Sequence, residues 1–179
     1  MRCFIALEVG DGVKQQCQTI ISALKKKGFH AKWVEEENLH ITMFFLGEIS
    51  NQQIEETAAI VKNIHSFPFK LVFNGMGAFQ KYNDPTAIWL GLQKSEPLQE
   101  LYMEMKSQLE EKIKQSFGKK FVPHLTLGRV KSSPEDWKDI IKNTTVKTLE
   151  LKDIVLSLKS STLTKKGPIY KTLETNVIE

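Results

Sequence analysis

The sequence predicts an α+β fold of two similar lobes built on largely antiparallel sheets. Three observations carry this. Strand-like segments are joined by short turns, and helical segments with a 3.6-residue apolar period are interleaved with them. One strand pattern also occurs twice: His-x-Thr inside an apolar run that closes on a glycine, at His40-Ile41-Thr42-Met43 and at His124-Leu125-Thr126-Leu127. Each copy is soon followed by a serine-led helix start, which suggests an approximate two-fold between the lobes. Residues 1–179 are read as one domain.

Composition sets the outer bounds. With 41% apolar and 26% charged residues, the chain falls in the ordinary soluble globular class. A net charge of +4 permits a phosphate-bearing partner without requiring one. Cys3 and Cys17 are too few for a disulfide framework and form no Cys-x-x-Cys pair, so both are read as small core residues. A thiolate zinc site is disfavoured for the same reason. The opening apolar run is too short for a signal peptide and no run reaches transmembrane length, so a cytoplasmic protein is expected; a monomer is the default expectation, which nothing in the sequence fixes.

Taken in order, Cys3–Val9 reads as a strand ending at Gly10-Asp11-Gly12, with Asp11 able to cap the next helix. Val13, Cys17, Ile20, Ile21 and Leu24 recur at helical spacing. Lys25, Lys26 and Lys27 suit the end of that helix dipole as a solvated terminus, and Gly28 stops it. Ala31–Val34 is extended, Glu35–Asn38 breaks it, and the first His-x-Thr strand runs to Gly47. Ser50 with Gln53 makes a capping box for a helix over 51–64, whose apolar face is Ile54, Ala58, Val61 and Ile64.

Pro68 opens a strand through Phe73, and Asn74-Gly75-Met76-Gly77 reads as a bulge or bend. Asn83-Asp84-Pro85 is a turn, and Thr86–Leu92 the returning strand of a hairpin. Ser95-Glu96-Pro97 starts the longest helix, whose stripe is Leu98, Leu101, Tyr102, Met105, Leu109 and Ile113 and whose expected end is Phe117-Gly118. Methionine and tyrosine at such positions are core. The second His-x-Thr strand follows. Ser133-Pro134 begins a short helix, Val146–Lys159 alternates as a strand, and Gly167-Pro168 turns into a last strand, Ile169–Leu173.

A single histidine on a half-buried strand is ordinarily a hydrogen-bonded structural residue. Threonine suits strands by its β-branching alone. Two copies of the same constellation change the reading. On a strand, His40 and Thr42 share one face, as do His124 and Thr126. Two imidazoles can serve as acid and base in one step, while threonine hydroxyls donate to phosphate oxygens. Arg129 lies three residues beyond Thr126, hence on the opposite face of an ideal strand. Only a bulge or the strand end turns its planar fork towards the site. Two histidines give too few ligands for zinc. His30 and His65 lack the context and are read as local structural residues.

The two motifs resemble the His-x-Thr-x signatures of the 2H phosphoesterase superfamily. The chain is most similar to the RNA 2′,3′-cyclic phosphodiesterases, also called 2′-5′ RNA ligase-like or LigT-like proteins. The likeness extends to Met1–Leu7, Trp33-Val34, Glu37–His40, Phe45-Leu46-Gly47, Pro123–Val130, and Leu156-Ser157-Leu158 with Gly167–Tyr170, and so covers essentially the whole chain. Gly128 stands where that family usually has alanine. The resemblance implies a bilobal fold with two sheets facing a central cleft, helices outside, and no cofactor or metal. It implies hydrolysis of an RNA or nucleoside 2′,3′-cyclic phosphate to the 2′-phosphomonoester. His40 would be the proton donor, His124 the proton acceptor, and Thr42, Thr126 and Arg129 the phosphate ligands. The residues themselves do not assign donor and acceptor. They also leave open another cyclic nucleotide phosphate, a 2′-5′ linkage acted on in either direction, or RNA-end binding without turnover. Phe44, Phe45, Phe79, Tyr82 and Tyr170 are candidates to stack a base, each weighed against plain packing. Lys119 and Lys120 are candidates for an RNA backbone.

Overall fold

The computed structural model describes residues 1–66, 69–118, 121–165 and 167–178. In chain order it contains β1 (Arg2–Glu8), α1 (Asp11–Lys26), β2 (His30–Trp33), a 3₁₀ turn (Glu36–Asn38), β3 (His40–Glu48), α2 (Asn51–Asn63) and β4 (Leu71–Lys81). There follow β5 (Asp84–Leu92), α3 (Glu96–Ile113), β6 (His124–Ser132), α4 (Trp137–Asn143), β7 (Leu149–Leu151), β8 (Ile154–Leu163) and β9 (Pro168–Ile178). Pro68, Lys119 and Lys120, assigned to a strand start and an RNA contact, lie outside the described residues.

The main strand path runs β7-β4-β5-β6-β3-β1-β8-β9, and β2 adds to β6. Every recorded pairing is antiparallel. The two expected sheets are therefore the two halves of this path, joined between β3 and β6 at Ile41 opposite Leu125. The lobes do not coincide with the halves of the sequence. The C-terminal hairpin β8-β9 completes the sheet of β1 and β3, while β2 pairs with β6. An open strand edge needs a partner for its backbone groups, and here that partner is supplied from far along the chain. What repeats is the order of elements: β1-α1-β3-α2 and β5-α3-β6-α4, apart from the short β2.

Local chemistry sets the helix ends. Helix α1 closes with Phe29 N–H donating to Leu24 O and Gly28 N–H to Lys25 O, with Gly28 at φ 92°. That is the glycine-terminated motif the sequence indicated. Its N-cap is Gly10 rather than Asp11, which sits in the first turn without a capping bond. There the carboxylate suits the helix dipole. In α2 both bonds of the Ser50–Gln53 capping box are present. Helix α3 ends at Ile113, short of Phe117-Gly118, because Lys114 takes the left-handed conformation at φ 57°. The Glu110 carboxylate then accepts the Phe117 N–H at 2.7 Å and turns the chain back. Helix α4 starts after Asp136 with no side-chain cap, not at Ser133. The alternating run before Lys159 is broken at Lys152-Asp153 into β7 and β8. Asn74-Gly75-Met76-Gly77 stays within β4 as a bulge, marked by the register change between Phe73 opposite Leu92 and Met76 opposite Leu90.

The core is continuous and apolar. Cys3 and Cys17 are both buried and free, and burial pushes the Cys17 thiol up to about 12, where it is inert. Glycine matters sterically at Gly128. A Cβ there would stand 2.7 Å from Trp33 Cε3 and 3.3 Å from the Lys32 carbonyl. The indole has no free end to swing aside, so alanine is not equivalent to glycine in this chain. We expect Gly128→Ala to lower stability by about 1–3 kcal/mol through overpacking. A chemical denaturation midpoint unchanged from wild type would contradict this.

Candidate active site

The junction of the lobes places the two motifs. Ile41 and Leu125 face each other and are both fully buried. Their neighbours therefore project to the other face of the sheet. Antiparallel register sets His40 across from Thr126 and Thr42 across from His124. A local two-fold through the Ile41–Leu125 pair exchanges the two motifs. In a regular ladder the two histidines would lie on a diagonal of about 7–8 Å, which leaves room for a phosphate between them.

Each imidazole is anchored in the same way. His40 Nδ1 lies 2.7 Å from the carbonyl of Asn38, and His124 Nδ1 lies 2.9 Å from the carbonyl of Val122. A carbonyl only accepts, so Nδ1 carries the hydrogen in both rings. Nε2 is the nitrogen not committed to a backbone carbonyl in each. For His40 it faces Thr42 Oγ1 at 3.0 Å. The anchoring carbonyl two residues before each histidine was not foreseen from sequence. A backbone oxygen carries no residue signature, though its fixed offset is a consequence of the shared local geometry.

Bulges decide what else reaches this face. In the β5–β6 ladder, Ile88 pairs with Gly128 and Trp89 with Thr126, leaving Leu127 as an extra residue. Leu127 and Gly128 are both buried, whereas Arg129 is exposed. The bulge returns Arg129 to the face of His124 and Thr126. The β1–β3 ladder contains two such shifts, at Met43 and Leu46. The first puts Phe45 on the face of His40 and Thr42, with 70% of its surface exposed. The local two-fold thus pairs Phe45 with Arg129: an apolar plate on one side and a cation on the other.

The surroundings of the two rings differ. His40 packs against Phe4 at a centroid distance of 5.0 Å and against the edge of Tyr170 at 5.5 Å. Burial holds its pKa below the ordinary 6.5, the Asn38 carbonyl opposing that shift, and the nearby Lys159 ammonium lowers it further while Glu8 raises it. Those two charges form a buried network. Lys159 Nζ lies 2.7 Å from Glu8 Oε1, and Ser157 Oγ donates to the same oxygen at 2.6 Å. Phe79 meets His124 edge-on at 4.9 Å, and the Trp89 ring lies 5.7 Å from Phe79 and 6.2 Å from His124. Burial raises the Tyr170 hydroxyl pKa, and the Arg129 charge opposes that shift.

A cleft of about 1060 Å³ opens along this face. His40, Thr126, Arg129, Phe45 and Tyr170 are in its wall. His124 is not a wall residue, and register sets it across the junction from Thr42. Of the remaining stacking candidates, Phe44 is core, stacked on Tyr102 at 4.6 Å, and Tyr82 is 90% exposed in the β4–β5 turn. His30 and His65 are exposed and take no part in the constellation. Lys32 in the cleft wall, and the Glu8–Lys159 pair beside His40, were not singled out from sequence, because nothing marks a lone lysine or glutamate as near the site until its strand is placed.

Known proteins resemble this chain over most of its length. The family model of the 2′-5′ RNA ligase superfamily matches residues 12–161. A Thermotoga maritima protein named RNA 2′,3′-cyclic phosphodiesterase is 42% identical over 175 residues, covering 97% of this chain and 93% of its own. An Archaeoglobus fulgidus protein of the same name is 35% identical over 176 residues, covering 97% and 98%. Among solved structures, E. coli LigT complexed with 3′-AMP superposes with a TM-score of 0.78 at 21% identity, covering 99% of this chain and 96% of its own. That likeness shows the fold. No described helix is long and apolar enough to cross a membrane. The fold, the doubled motif and these relatives together place the chain: it belongs to the 2′-5′ RNA ligase superfamily.

Proposed function

We propose that this protein hydrolyses the 2′,3′-cyclic phosphate of RNA ends and nucleotides to a 2′-phosphomonoester, by paired histidine catalysis without a metal. One observation carries the reading: two imidazoles, each held through Nδ1 by a carbonyl two residues earlier, present Nε2 on one face of the lobe junction. The relatives named RNA 2′,3′-cyclic phosphodiesterase supply the substrate class.

In the proposed step, His124 Nε2 takes a proton from water as its oxygen attacks phosphorus. The bond from phosphorus to O3′ breaks, and His40 Nε2–H protonates the departing oxygen. The phosphate remains on O2′. Thr42 and Thr126 donate to the non-bridging oxygens, and Arg129 neutralises the growing charge. The donor and acceptor roles follow the family resemblance.

The test is incubation with 2′,3′-cyclic nucleotides and with cyclic-phosphate-ended RNA in EDTA, with the position of the product phosphate determined. Turnover to the 2′-phosphate is expected in both cases. No turnover of either substrate would refute the reading, and loss of activity on chelation would refute the metal-free step. The pH–rate profile should be bell-shaped. His40 as donor must be protonated, so activity is lost as pH rises through its pKa. Because burial lowers that pKa, the basic limb of kcat/KM should lie below the position an exposed imidazole would give. A flat profile between about pH 5 and 9 would contradict two-imidazole catalysis.

A further inference from the structure

The cleft extends beyond the space a cyclic phosphate needs, and one cation of its wall, Lys32, has no part in the proposed step. Strand β2 pairs with β6 so that Lys32 stands directly opposite Arg129. Like charges directly opposite on one sheet face repel each other. Among the described residues neither side chain has a carboxylate partner. Lys32 does not turn away. Its ammonium reaches across to the β8–β9 turn, where Nζ would lie 3.9 Å from a Cβ placed on Gly167. Lys32 and Arg129 both line the cleft, and so do Arg2 and Lys25. Beside them the hairpin exposes apolar surface: Leu163 at 67% and Ile169 at 62%. A row of cations along a groove is what tracks the backbone of a single strand, and the aliphatic surface beside it offers a sugar or base face apolar contact. Glu35 and Glu37 line the same cleft with the opposite charge.

Building on the proposed function, in which Arg129 serves the terminal cyclic phosphate, we propose that Lys32 opposite it binds the adjoining phosphodiester, so that the cleft holds an RNA strand in preference to a mononucleotide. Two successive phosphates, one on each cation, relieve the repulsion between them. The adjoining nucleotide lies against the exposed hairpin surface of Ile169 and Leu163. Lys32 is a binding group and moves no proton.

The experiment compares a 2′,3′-cyclic mononucleotide with a short RNA ending in the same cyclic phosphate, on wild-type protein, on Lys32→Gln, and on Lys62→Gln at the outer face of α2 as a charge control. Wild type should show a lower KM for the RNA. Lys32→Gln should raise the RNA KM about fivefold, as loss of one charged contact would. It should reduce the salt dependence of log KM for RNA by about 0.7, with the mononucleotide KM affected far less. Lys62→Gln should do neither. Equal KM values for both substrates in wild type, an equal effect of Lys32→Gln on both, or an unchanged salt slope would each overturn the proposal while leaving hydrolysis intact. Absence of turnover on either substrate by wild type would instead overturn the proposed function beneath it.

Discussion

His40→Ala and His124→Ala should each lower kcat by about a hundredfold or more, the usual worth of a positioned general acid or base. The expectation rests on geometry. In both rings Nδ1 is committed to a backbone carbonyl, at 2.7 Å for His40 and 2.9 Å for His124. The nitrogen left for proton transfer is Nε2, and the register at the lobe junction sets both rings on one sheet face. Neither ring is a core element, since both are only half-buried. Truncation should therefore reduce turnover with little loss of fold. The double variant should be scarcely slower than the worse single one, because an acid and a base in one step act as a unit. Single-turnover kinetics on a cyclic-phosphate-ended RNA, with circular dichroism as the folding control, would check this. A single variant that keeps a near-wild-type rate would remove that histidine from the mechanism.

Phe44→Ala should cost about 3–5 kcal/mol of stability, in the range for a buried phenylalanine emptied to alanine. In a chain of this size that is a fall in Tm of roughly 10 °C. Phe44 is 1% exposed and stacks on Tyr102 at 4.6 Å, with Phe117 edge-on at 5.2 Å. Tyr102 stacks in turn on Phe121 at 4.6 Å, and its hydroxyl donates to Gly118 O at 3.0 Å. Gln99 adds a bond from Nε2 to Phe121 O at 3.1 Å. This column of rings ties β3 of one motif to the chain that leads into His124 of the other. The variant should therefore also reduce kcat below the melting temperature, through a looser His124. Calorimetry and a rate measurement at low temperature separate the two effects. A loss of less than about 1 kcal/mol would show that the site collapses around the void, contrary to the fit described.

Much of this was legible because it depends on neighbours in sequence. The Ser50–Gln53 capping box, the Gly28 stop and the Leu98–Ile113 stripe are local, and each appears as read. Asp11 and Ser133 were misjudged as caps because several residues compete for a helix start and backbone geometry selects one. The end of α3 was misplaced because it is set by Glu110 reaching forward to Phe117, a contact that no periodicity announces.

The sequence by itself determined the class of fold and the chemistry available. The doubled His-x-Thr pattern names the candidate groups, and a period of two places each pair on one face. Only the tertiary structure decided how those groups meet. The Ile41–Leu125 pairing creates the local two-fold and sets each histidine across from the other motif's threonine. The bulge at Leu127 decides that Arg129 joins the site, and the bulge at Met43 does the same for Phe45. The pairing of β2 with β6 sets Lys32 against Arg129. Register and bulges are properties of two strands together, fixed by packing between segments far apart in the chain. A single strand therefore cannot show which of its residues will face the cleft.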